Sequence, residues 1–407
     1  MTLDRRFFLT VFLPFALGYY LSFFFRIVNG VIAEPVALEL GIGPASLGWI
    51  GSAYFLFFAA AQLPLGVLLD RYDTRNVASL ILLIAAAGAL VFAFAQTPFM
   101  LWLGRGLIGL GVSACLMAAF RAYVALLPAD KLPLVNGLQL AFGGLGAITA
   151  TAPVELLLPL IGWRGLFIGL AGLTVLIALL VRLRVPPIIQ HDGPKAALGE
   201  QIRGSLSVFA SPIFLRVAPA SVLNQAIFIA MLGLWAAVWL REVEQLTPGS
   251  SADLLFWSAT GMALGYMTLG GLSSWLLKYR IATGQVALFC MTLFFVALLL
   301  LIFRAPVQDI PLWFLLGYFG SSGSLMYAAL TKQFPIELAG RVNTALNLLL
   351  FVCAFLLQWV MGLVVGLWEP DTLGHYPVVA YQTSFAICAV AQGLSLLWFK
   401  FWRRNRT

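Results

Sequence analysis

The stretch Val77–Gln96 reads VASLILLIAAAGALVFAFAQ and contains no charged residue. Its length matches the roughly 20 apolar residues that a helix needs to cross a bilayer. The apolar side chains are continuous and do not alternate with polar ones, which favours a helix over a strand of a membrane barrel. Because hydrocarbon cannot satisfy backbone N–H and C=O groups, a spanning segment must satisfy them internally. The stretch therefore predicts a membrane-spanning helix.

Similar uncharged runs recur along the chain, for example at Gly165–Val181 and Ile281–Phe303. Hydrophobic residues make up 62% of the 407 residues and charged residues only 10%, against roughly 45–50% and 25% in soluble domains. This composition excludes an ordinary soluble fold. The runs predict an all-α membrane protein with twelve transmembrane helices, at about residues 8–33, 46–69, 76–96, 98–127, 134–161, 164–183, 213–239, 252–277, 281–303, 310–333, 342–367 and 378–400.

Basic residues collect in alternate loops of this predicted topology. Of the 24 lysines and arginines, 18 lie at the two chain ends or in and beside the loops on their side. The opposite loops hold Arg164, Arg241 and Arg304. Because cytoplasmic loops carry the excess of Lys and Arg, we predict that both termini are cytoplasmic. We expect a multi-pass protein of a cell membrane, the inner membrane of a bacterium, and no nucleic-acid partner despite the net charge of +8.

The chain also divides near its midpoint. The longest connection between predicted spans holds three prolines within 186–194 and separates six spans from six. We therefore predict an N-terminal six-helix bundle at 1–183, a cytoplasmic linker at 184–212 and a C-terminal six-helix bundle at 213–407. Two six-helix halves joined in this way are the parallel-repeat plan of many secondary transporters.

The segment Gly66-Val-Leu-Leu-Asp70-Arg71-Tyr-Asp-Thr-Arg75 follows the second predicted span. It resembles the GxxxDRxxxR signature that the major facilitator superfamily carries between its second and third helices, and the chain is similar to that family in span count, linker and polarity. The resemblance implies two bundles around a central cavity that opens alternately to either side. It also implies a gating latch of Gly66, Asp70, Arg71 and Arg75, whose charge-assisted bonds bias the open side. An ordinary positive-inside loop is the alternative.

The latch pattern recurs only partly in the second half. Gly271 and Arg280 match Gly66 and Arg75 at an offset of 205 residues. Trp275 and Leu276 replace the Asp-Arg pair between them. We therefore expect a one-sided latch, in which Arg280 is the cation that the second half keeps from the pattern.

Arg105 opens the pattern Arg105-Gly-Leu-Ile-Gly109-Leu-Gly111 within the fourth predicted span. The pattern resembles the family's fourth-helix motif RxxxGxG, which implies a role for Arg105 in proton coupling. Because an arginine inside a span must find a partner or water, bonding to neighbouring carbonyl groups is the structural alternative. Glu34 and Glu155 are the other proton-coupling candidates, because they are the carboxylates predicted to lie buried away from loops.

Arg26 lies inside the first predicted span, in Tyr19-Tyr20-Leu-Ser-Phe-Phe-Phe-Arg26-Ile-Val-Asn29. A guanidinium group can form paired, planar contacts with a carboxylate or phosphate. The set Tyr20, Arg26 and Asn29 resembles, with a different Tyr-to-Arg spacing, the first helix of organic-anion and sugar-phosphate members of the superfamily. The resemblance implies that these three residues bind an anionic substrate. An internal ion pair of Arg26 with Glu34 or Glu155 is the alternative.

Uncharged polar residues in the second half are candidates for the opposite wall of the substrate site. A buried amide or hydroxyl in an apolar span needs a partner, and a wet cavity would provide one. Each of these groups could equally bond a neighbouring helix. The predicted substrate contacts of this half are Asn224, Gln225, Tyr327, Asn347 and Gln358.

The sequence shows no Walker loop, histidine cluster or metal-ligand spacing, so we predict no enzyme activity, metal or cofactor. It predicts a monomeric secondary transporter in the lipid bilayer, moving a small solute that we take to be an organic anion, with protons as a candidate coupling ion for symport. Efflux of amphipathic or cationic compounds is the alternative. It is weakened because Ala150 and Thr151 replace the final Gly-Pro of the fifth-helix antiporter pattern. A membrane solute sensor that does not transport is the alternative of another class.

Overall fold

The computed structural model describes residues 4–188, 207–335, 338–372 and 374–402. Its secondary structure within these ranges is helical, without any strand, and this confirms the predicted all-α class. The described residues form two compact units, one before residue 189 and one after residue 206. Most of the predicted linker at 184–212 lies outside the described residues, so its boundaries stay a prediction. The structure also leaves undescribed the side chains of Asp70, Ala129, Pro133, Ala328 and Ala339.

The first unit begins its helices at residues that suit a helix start. Pro44 and Pro98 occupy first turns, where a missing backbone N–H costs nothing. Thr97 caps the helix that follows it, because its hydroxyl oxygen accepts a hydrogen bond of 3.3 Å from the Met100 amide. The helices of this unit are α1 (Arg5–Leu40), α2 (Pro44–Arg71), α3 (Thr74–Ala93), α4 (Pro98–Leu126), α5 (Leu132–Thr149) and α6 (Ala152–Arg184).

Three of these helices depart from regular α geometry. A π turn occupies Phe8–Phe12 in α1, and α4 is interrupted by a turn at Ser113 and Ala114. In α6 the dihedral angles leave the helical region at Gly162, with φ 63° and ψ 170°, a conformation that favours glycine. The sequence-predicted division between the fifth and sixth spans falls at this residue. The part of α6 before Gly162 thus belongs to the predicted fifth span.

The second unit repeats this arrangement of long helices and local breaks. Its seventh helix contains a π turn at Met231–Trp235, and its tenth has a 3-10 turn at Ser321–Ser324 between the segments Asp309–Gly320 and Leu325–Thr331. The helices are α7 (Pro212–Glu242), α8 (Pro248–Leu276), α9 (Thr283–Ile302), α10 (the two segments just given), α11 (Ala339–Val365) and α12 (Val378–Phe401).

Packing within each unit follows the same scheme. In the first unit α1 packs against α5 and α6, α2 against α4, and α3 against α4 and α6. In the second unit α7 packs against α11 and α12, α8 against α10, and α9 against α10 and α12. Adding six to each helix number of the first unit gives the pairs of the second. The two units therefore share one helix-packing scheme.

Nine helices in the described part of the chain are long and apolar enough to cross a membrane. The three helices outside this set are α5, α8 and α10. The apolar part of α5, Leu134–Thr149, is shorter than a full span, and the 3-10 turn divides α10 into two short segments. A helix of 29 residues forms α8, but it is rich in glycine, serine and threonine. Twelve spans therefore stay a prediction beyond these nine.

Candidate functional site

The Arg26 side chain is enclosed between α1 and α2 in the first unit, with only 5% of the residue exposed. Its guanidinium carbon lies 4.4 Å from the centroid of the Phe23 ring on α1. The same carbon lies 5.8 Å from the Tyr54 centroid and 5.6 Å from the Phe58 centroid, both on α2. Residues three or four apart share a helix face, so α1 presents Phe23 with Arg26 and α2 presents Tyr54 with Phe58. We call these three rings the aromatic collar.

Two contacts fix the position of Tyr54 in the collar. Its hydroxyl donates a hydrogen bond of 2.9 Å to the carbonyl oxygen of Ser22 on α1. On α4, Gly109 packs against the Tyr54 backbone, where a Cβ atom at position 109 would lie 2.1 Å from the Tyr54 carbonyl oxygen. The glycine of the RxxxGxG pattern is therefore needed because α4 approaches α2 closely at the collar.

Arg105 lies on α4, one turn before Gly109, and only 1% of it is exposed. Its Nη1 donates a hydrogen bond of 2.8 Å to the carbonyl oxygen of Phe25, the residue directly before Arg26. Its guanidinium carbon lies 5.3 Å from the centroid of the Tyr54 ring. Both buried guanidinium groups thus lie within 6 Å of one tyrosine ring. The carbonyl bond is the contact that the structural alternative for Arg105 anticipated, and it ties α4 to the part of α1 that carries Arg26.

The other predicted contacts of α1 take different positions. The Tyr20 hydroxyl forms a hydrogen bond of 2.6 Å with the Thr149 hydroxyl on α5, away from the collar. The six residues from Tyr20 to Arg26 correspond to a turn of about 600°, which leaves the two side chains on different faces of α1. Asn29 is 6% exposed and follows Arg26 by three residues, so it shares the Arg26 face.

The two candidate proton carriers differ from the predicted burial. Glu34 is exposed and lies on the same helix face as Leu38, of which 76% is exposed. The buried position predicted for Glu34 is therefore wrong, because the last turns of α1 present this face outward. Glu155 lies in the first turn of α6 and is half-buried.

The predicted latch has an acidic partner that the motif did not point to. Arg75 forms a salt bridge of 2.9 Å from its Nε to Oδ2 of Asp73, which is 7% exposed. Among the predicted latch residues, Gly66 is half-buried, Arg71 is exposed, and the Asp70 side chain lies outside the described part of the structure. In the second unit Arg280 is exposed and follows a 3-10 turn with φ 62°.

Asp73 also binds the segment that follows α6. Its Oδ1 accepts hydrogen bonds of 3.1 Å from the backbone amides of Arg75 and Ile188. The Thr74 amide donates a hydrogen bond of 3.2 Å to the Ile188 carbonyl oxygen, and Nη1 of Arg75 donates one of 3.5 Å to the Val185 carbonyl oxygen. We call these contacts the 73–188 clamp. Sequence reasoning missed it, although an Asp directly before α3 is a signal for a helix cap.

In the second unit a polar network holds the break in α10. Nδ2 of Asn224 on α7 donates a hydrogen bond of 2.9 Å to the Gly320 carbonyl oxygen, and Ser221 donates one of 2.8 Å to the Gly323 carbonyl oxygen. Gln392 on α12 donates a bond of 3.4 Å to Oδ1 of Asn224. All three side chains are fully buried. Since a broken helix frees backbone groups that need partners, this geometry gives Asn224 an interhelical role.

Of the remaining predicted contacts of the second unit, Gln225 also lies at this break, where its side chain packs against Gly323. Gln225 is 5% exposed and its Nε2 donates to the Ser221 carbonyl oxygen at 3.4 Å, while the buried Tyr327 hydroxyl lies beside the Gln225 side chain. Gln358 on α11 is 1% exposed, and its backbone carbonyl accepts a bond of 2.9 Å from Nε1 of Trp235. Asn347 is half-buried on α11.

Each unit also has a salt bridge at a helix end, which sequence reasoning missed. Arg164 on α6 forms a salt bridge of 2.7 Å with Glu39 at the end of α1, and Nε1 of Trp163 donates 2.7 Å to the other carboxylate oxygen. In the second unit Arg304 lies 3.3 Å from Glu244, just after α7. Within the described ranges no group of His, Cys, Asp and Glu side chains is suited to hold a metal ion.

Comparisons with known proteins agree with this architecture. A sequence model of the Major Facilitator Superfamily matches residues 15–358. Over 159 residues the chain is 26% identical to SauU of Cupriavidus necator, named as a probable sulfoacetate transporter, which covers 39% of this chain and 37% of that one. Over 373 residues it is 25% identical to NiaP of Bacillus subtilis, named as a putative niacin/nicotinamide transporter, covering 88% of this chain and 87% of that one. The chain thus spans little more than a third of SauU and most of NiaP.

A solved structure resembles the fold along nearly the whole chain. It is a bacterial homologue of the human lysosomal transporter Spinster in an inward-facing, unoccupied conformation. The TM-score is 0.75 at 18% sequence identity, with 98% of this chain and 97% of that chain covered. At this identity the likeness shows the fold and leaves the solute open.

Proposed function

Because this chain belongs to the major facilitator superfamily, we propose that it is a secondary transporter of a small organic anion that binds at Arg26. The family assignment makes the chain a multi-pass membrane transporter and not an enzyme. The anion, the mode of coupling and the topology are the proposed part. In this proposal twelve helices span the inner membrane of a bacterium, both termini are cytoplasmic, and the protein works as a monomer by alternating access.

The observation that carries the anion proposal is the depth and enclosure of Arg26. A guanidinium group inside an apolar helix pair is costly and, in membrane proteins, marks a functional site by default. Here Arg26 is 95% buried against the collar, and Arg105 is a second buried cation, with its guanidinium carbon 5.3 Å from the Tyr54 centroid. Two buried guanidinium groups near one ring repel each other, so an anion bound at Arg26 would stabilise both.

The polar residues predicted as substrate contacts are supported to different degrees. Asn29 shares the Arg26 face and is proposed as a second ligand of the anion. Tyr20, Asn224, Gln225, Tyr327, Asn347 and Gln358 stay candidates from the sequence, with Tyr20 and Asn224 already engaged in bonds between helices. The names of SauU and NiaP support the proposal, because both concern small solutes and sulfoacetate and niacin are anions at neutral pH.

Proton coupling is the second part of the proposal. Arg105 bonds to the Phe25 carbonyl oxygen, directly before Arg26, and lies 5.3 Å from the Tyr54 centroid, so a change of charge at the substrate site would act on it. Glu155 and Glu34 are the carboxylate candidates, of which Glu155 is the better enclosed. Uptake of the anion into proteoliposomes with and without an inward proton gradient tests this part. If the rate of uptake is the same with and without the gradient, protons are not part of the mechanism.

The main experiment combines thermal stabilisation with uptake. A ligand that binds the folded state raises its Tm by mass action. The purified full chain is melted with carboxylates, sulfonates, phosphates, neutral sugars and organic cations, and each ligand that stabilises it is then tested for uptake into proteoliposomes. We expect anions to stabilise the parent and not Arg26→Gln, while Arg184→Gln at the exposed end of α6 binds like the parent.

Each other outcome selects a different function. If only cations or amphipathic compounds stabilise both the parent and Arg26→Gln, the anion proposal is wrong and efflux becomes the better hypothesis. If an anion stabilises the parent and is not taken up under any gradient, the sensor hypothesis replaces transport.

A further inference from the structure

The C-terminal end of α12 carries an open groove lined by aromatic and aliphatic side chains. Its volume is about 500 Å³, within the range of roughly 300–1,000 Å³ that small-molecule sites have. The rings of Trp398 and Trp402 lie in contact, with centroids 4.2 Å apart. Nε1 of Trp398 donates a hydrogen bond of 2.9 Å to the Leu215 carbonyl oxygen on α7. The groove is therefore built where the end of α12 meets the start of α7, and its lining residues are Leu397, Trp398, Phe401 and Trp402.

An apolar stripe on the surface of α12 leads into this groove. Its members recur every three or four residues, the spacing of one helix face, and between 44% and 66% of each is exposed. The stripe consists of Ile387, Val390, Leu394, Leu397 and Phe401. Its length of about 21 Å exceeds half of a hydrocarbon core of roughly 30 Å. An acyl chain from one leaflet of the bilayer can therefore lie along the whole stripe.

Two cations border the groove. Nζ of Lys400 lies 5.5 Å from the centroid of the Phe401 ring. Arg216 on α7 donates a hydrogen bond of 3.3 Å from Nε to the Phe399 carbonyl oxygen, and its guanidinium carbon lies 5.3 Å from the Phe399 centroid. With 3.6 residues per turn, positions 399 and 400 fall on opposite edges of the helix face that carries the groove. Arg216 and Lys400 thus flank the groove from its two sides.

Neither of these cations is neutralised by a described residue. Lys400 is exposed and Arg216 is half-buried, and the salt bridges within the described ranges involve neither of them. An anion with a long apolar part would pair with the cations and cover the stripe. A free phosphate would leave the stripe uncovered, and a zwitterionic headgroup would bring a cation of its own to the two already present.

The corresponding helix end of the first unit has cations without a groove. In the shared packing scheme α6 corresponds to α12, and it ends in Leu-Val-Arg182-Leu-Arg184. Both arginines are exposed, and so is Leu183, by 76%. This last turn contains no aromatic residue. Exposed cations are therefore common to both helix ends, while the rings and the groove belong to α12.

We propose that the α12 groove binds one anionic phospholipid, with its phosphate between Arg216 and Lys400 and an acyl chain along the apolar stripe. Tryptophan favours the headgroup level of a bilayer, where its ring is half in hydrocarbon and its N–H can bond. Basic pockets between helices are known to hold anionic headgroups in the same way. The site is separate from Arg26, so the inference does not depend on which solute is carried.

Native mass spectrometry of the purified full chain tests this site. The protein is titrated with dioleoyl phosphatidylglycerol, whose headgroup is negative, and with dioleoyl phosphatidylcholine, which has the same acyl chains and no net charge. A cation near an anionic lipid contributes about a fivefold gain in affinity. We therefore expect the first phosphatidylglycerol molecule to bind at least about tenfold more tightly than the first phosphatidylcholine. Inorganic phosphate in large excess should not displace the bound lipid.

Matched variants locate the bound lipid. Arg216→Gln with Lys400→Gln should lower the preference for phosphatidylglycerol to less than about threefold. Arg182→Gln with Arg184→Gln removes the same charge at the end of α6 and should keep the preference of the parent. Lys400→Gln alone leaves the hydrogen bond between Arg216 and Phe399 in place. Its expected loss of about fivefold therefore does not come from a disturbed contact between α7 and α12.

Three outcomes would overturn the proposal. Equal affinity of the parent for the two lipids would show that the groove does not select an anionic headgroup. The same loss of preference in both double variants would show a general attraction to a positive surface and no site at α12. Displacement of the lipid by inorganic phosphate would show that the cations bind a free ion and that the stripe takes no part.

Discussion

The two units share one packing scheme but bury different polar groups. The first unit encloses two guanidinium groups, Arg26 and Arg105, next to aromatic rings. The second encloses uncharged amides, of which Asn224 and Gln392 hold a helix break. Burying a charge costs far more free energy than burying a hydrogen-bonded amide. We therefore expect the two buried arginines to have a function in addition to stabilising the fold. This difference is why our proposal places ligand recognition in the first unit and helix positioning in the second.

The contrast can be followed position by position. At the offset of 205 residues that relates the latch patterns, Phe23 corresponds to Phe228 while Arg26 corresponds to Met231. Gly109 and Gly317 lie at matching contacts, since a Cβ atom at either would meet a backbone oxygen of the packed helix, of Tyr54 or of Ser258. The scaffold thus repeats, while among the described residues the fully enclosed cations lie in the first unit.

The largest expected effect tests whether the scaffold is equivalent in the two units. At Gly109 and Gly317 an added Cβ would lie 2.1 Å and 1.9 Å from the facing carbonyl oxygen. We expect Gly109→Ala and Gly317→Ala each to lower the free energy of unfolding by about 3 kcal/mol, the upper range for overpacking. Thermal melting in detergent measures the loss for each variant.

Gly137→Ala is the matched control for both variants. This glycine is also helical, and a Cβ there would meet nothing within 4 Å. Its replacement should leave the Tm unchanged or raise it slightly, because alanine is the better helix former. A large loss in one unit and none in the other would break the equivalence of the two scaffolds.

Helix period and residue chemistry explain what the sequence could predict of these units. The long uncharged runs predicted the helices, and the depth of Arg26 within one of them predicted a special role. The helical period of 3.6 residues could also have shown that Tyr20 and Arg26 lie on different faces of α1, since they are six residues apart. The expectation that Glu34 is buried failed because hydrophobicity along the chain does not tell which face of α1 is covered.

Contacts between distant segments could not be predicted in the same way. The collar needs Tyr54 and Phe58 of α2 to face Arg26 of α1, which depends on how the two helices pack. The 73–188 clamp joins residues 115 positions apart, and its carboxylate belongs to Asp73 and not to the motif's Asp70. The break in α10 is suggested by its Ser-Ser-Gly-Ser sequence, but its partners on α7 are not.

A smaller effect on stability tests whether Asn224 positions a helix or binds the solute. Asn224→Ala removes the donor to the Gly320 carbonyl oxygen and leaves Gln392 without its partner, so we expect a loss of about 1–3 kcal/mol in stability. The affinity for a bound anion, measured by calorimetry, should not change. Asn343→Ala is the control, because it removes only an exposed acceptor, of a 3.0 Å bond from the Thr331 hydroxyl. It should cost less stability than Asn224→Ala and leave the affinity unchanged. Lost anion affinity in Asn224→Ala would show that the second unit also binds the solute.

The 73–188 clamp has no counterpart among the described contacts of the second unit, and its loss should have a moderate effect. Asp73→Ala removes acceptors of two backbone amides and of Arg75, so we expect a loss of about 1–2 kcal/mol. Asp73→Asn keeps one acceptor oxygen and should lose less. Both are measured by thermal melting.

A cross-link shows whether the loss of stability in Asp73→Ala comes from the loss of the clamp. Thr74 and Ile188 are paired through their backbones, so Thr74→Cys with Ile188→Cys provides two thiols at this point. Oxidation should restore the Tm of Asp73→Ala if it restores the clamp. An unchanged Tm in Asp73→Ala, or no recovery after a cross-link that mass spectrometry confirms, would contradict the role given to Asp73.

The smallest expected effect on stability concerns the two salt bridges, Glu39 with Arg164 and Glu244 with Arg304. Glu39 accepts bonds of 2.7 Å and 3.0 Å from Arg164 and one of 2.7 Å from Trp163, while Glu244 accepts bonds of 3.3 Å from Arg304 and 3.2 Å from Trp239. Exposed ion pairs contribute about 0–1 kcal/mol.

Glu39→Gln should therefore lower stability by at most about 1 kcal/mol, and Glu244→Gln by less, because its bonds are longer. Salt screens exposed charges, so the difference between each variant and the parent should shrink when melting is repeated in 1 M salt. A larger loss in Glu244→Gln than in Glu39→Gln would reverse the order that the distances give. The two salt bridges would then add nothing to the asymmetry between the units.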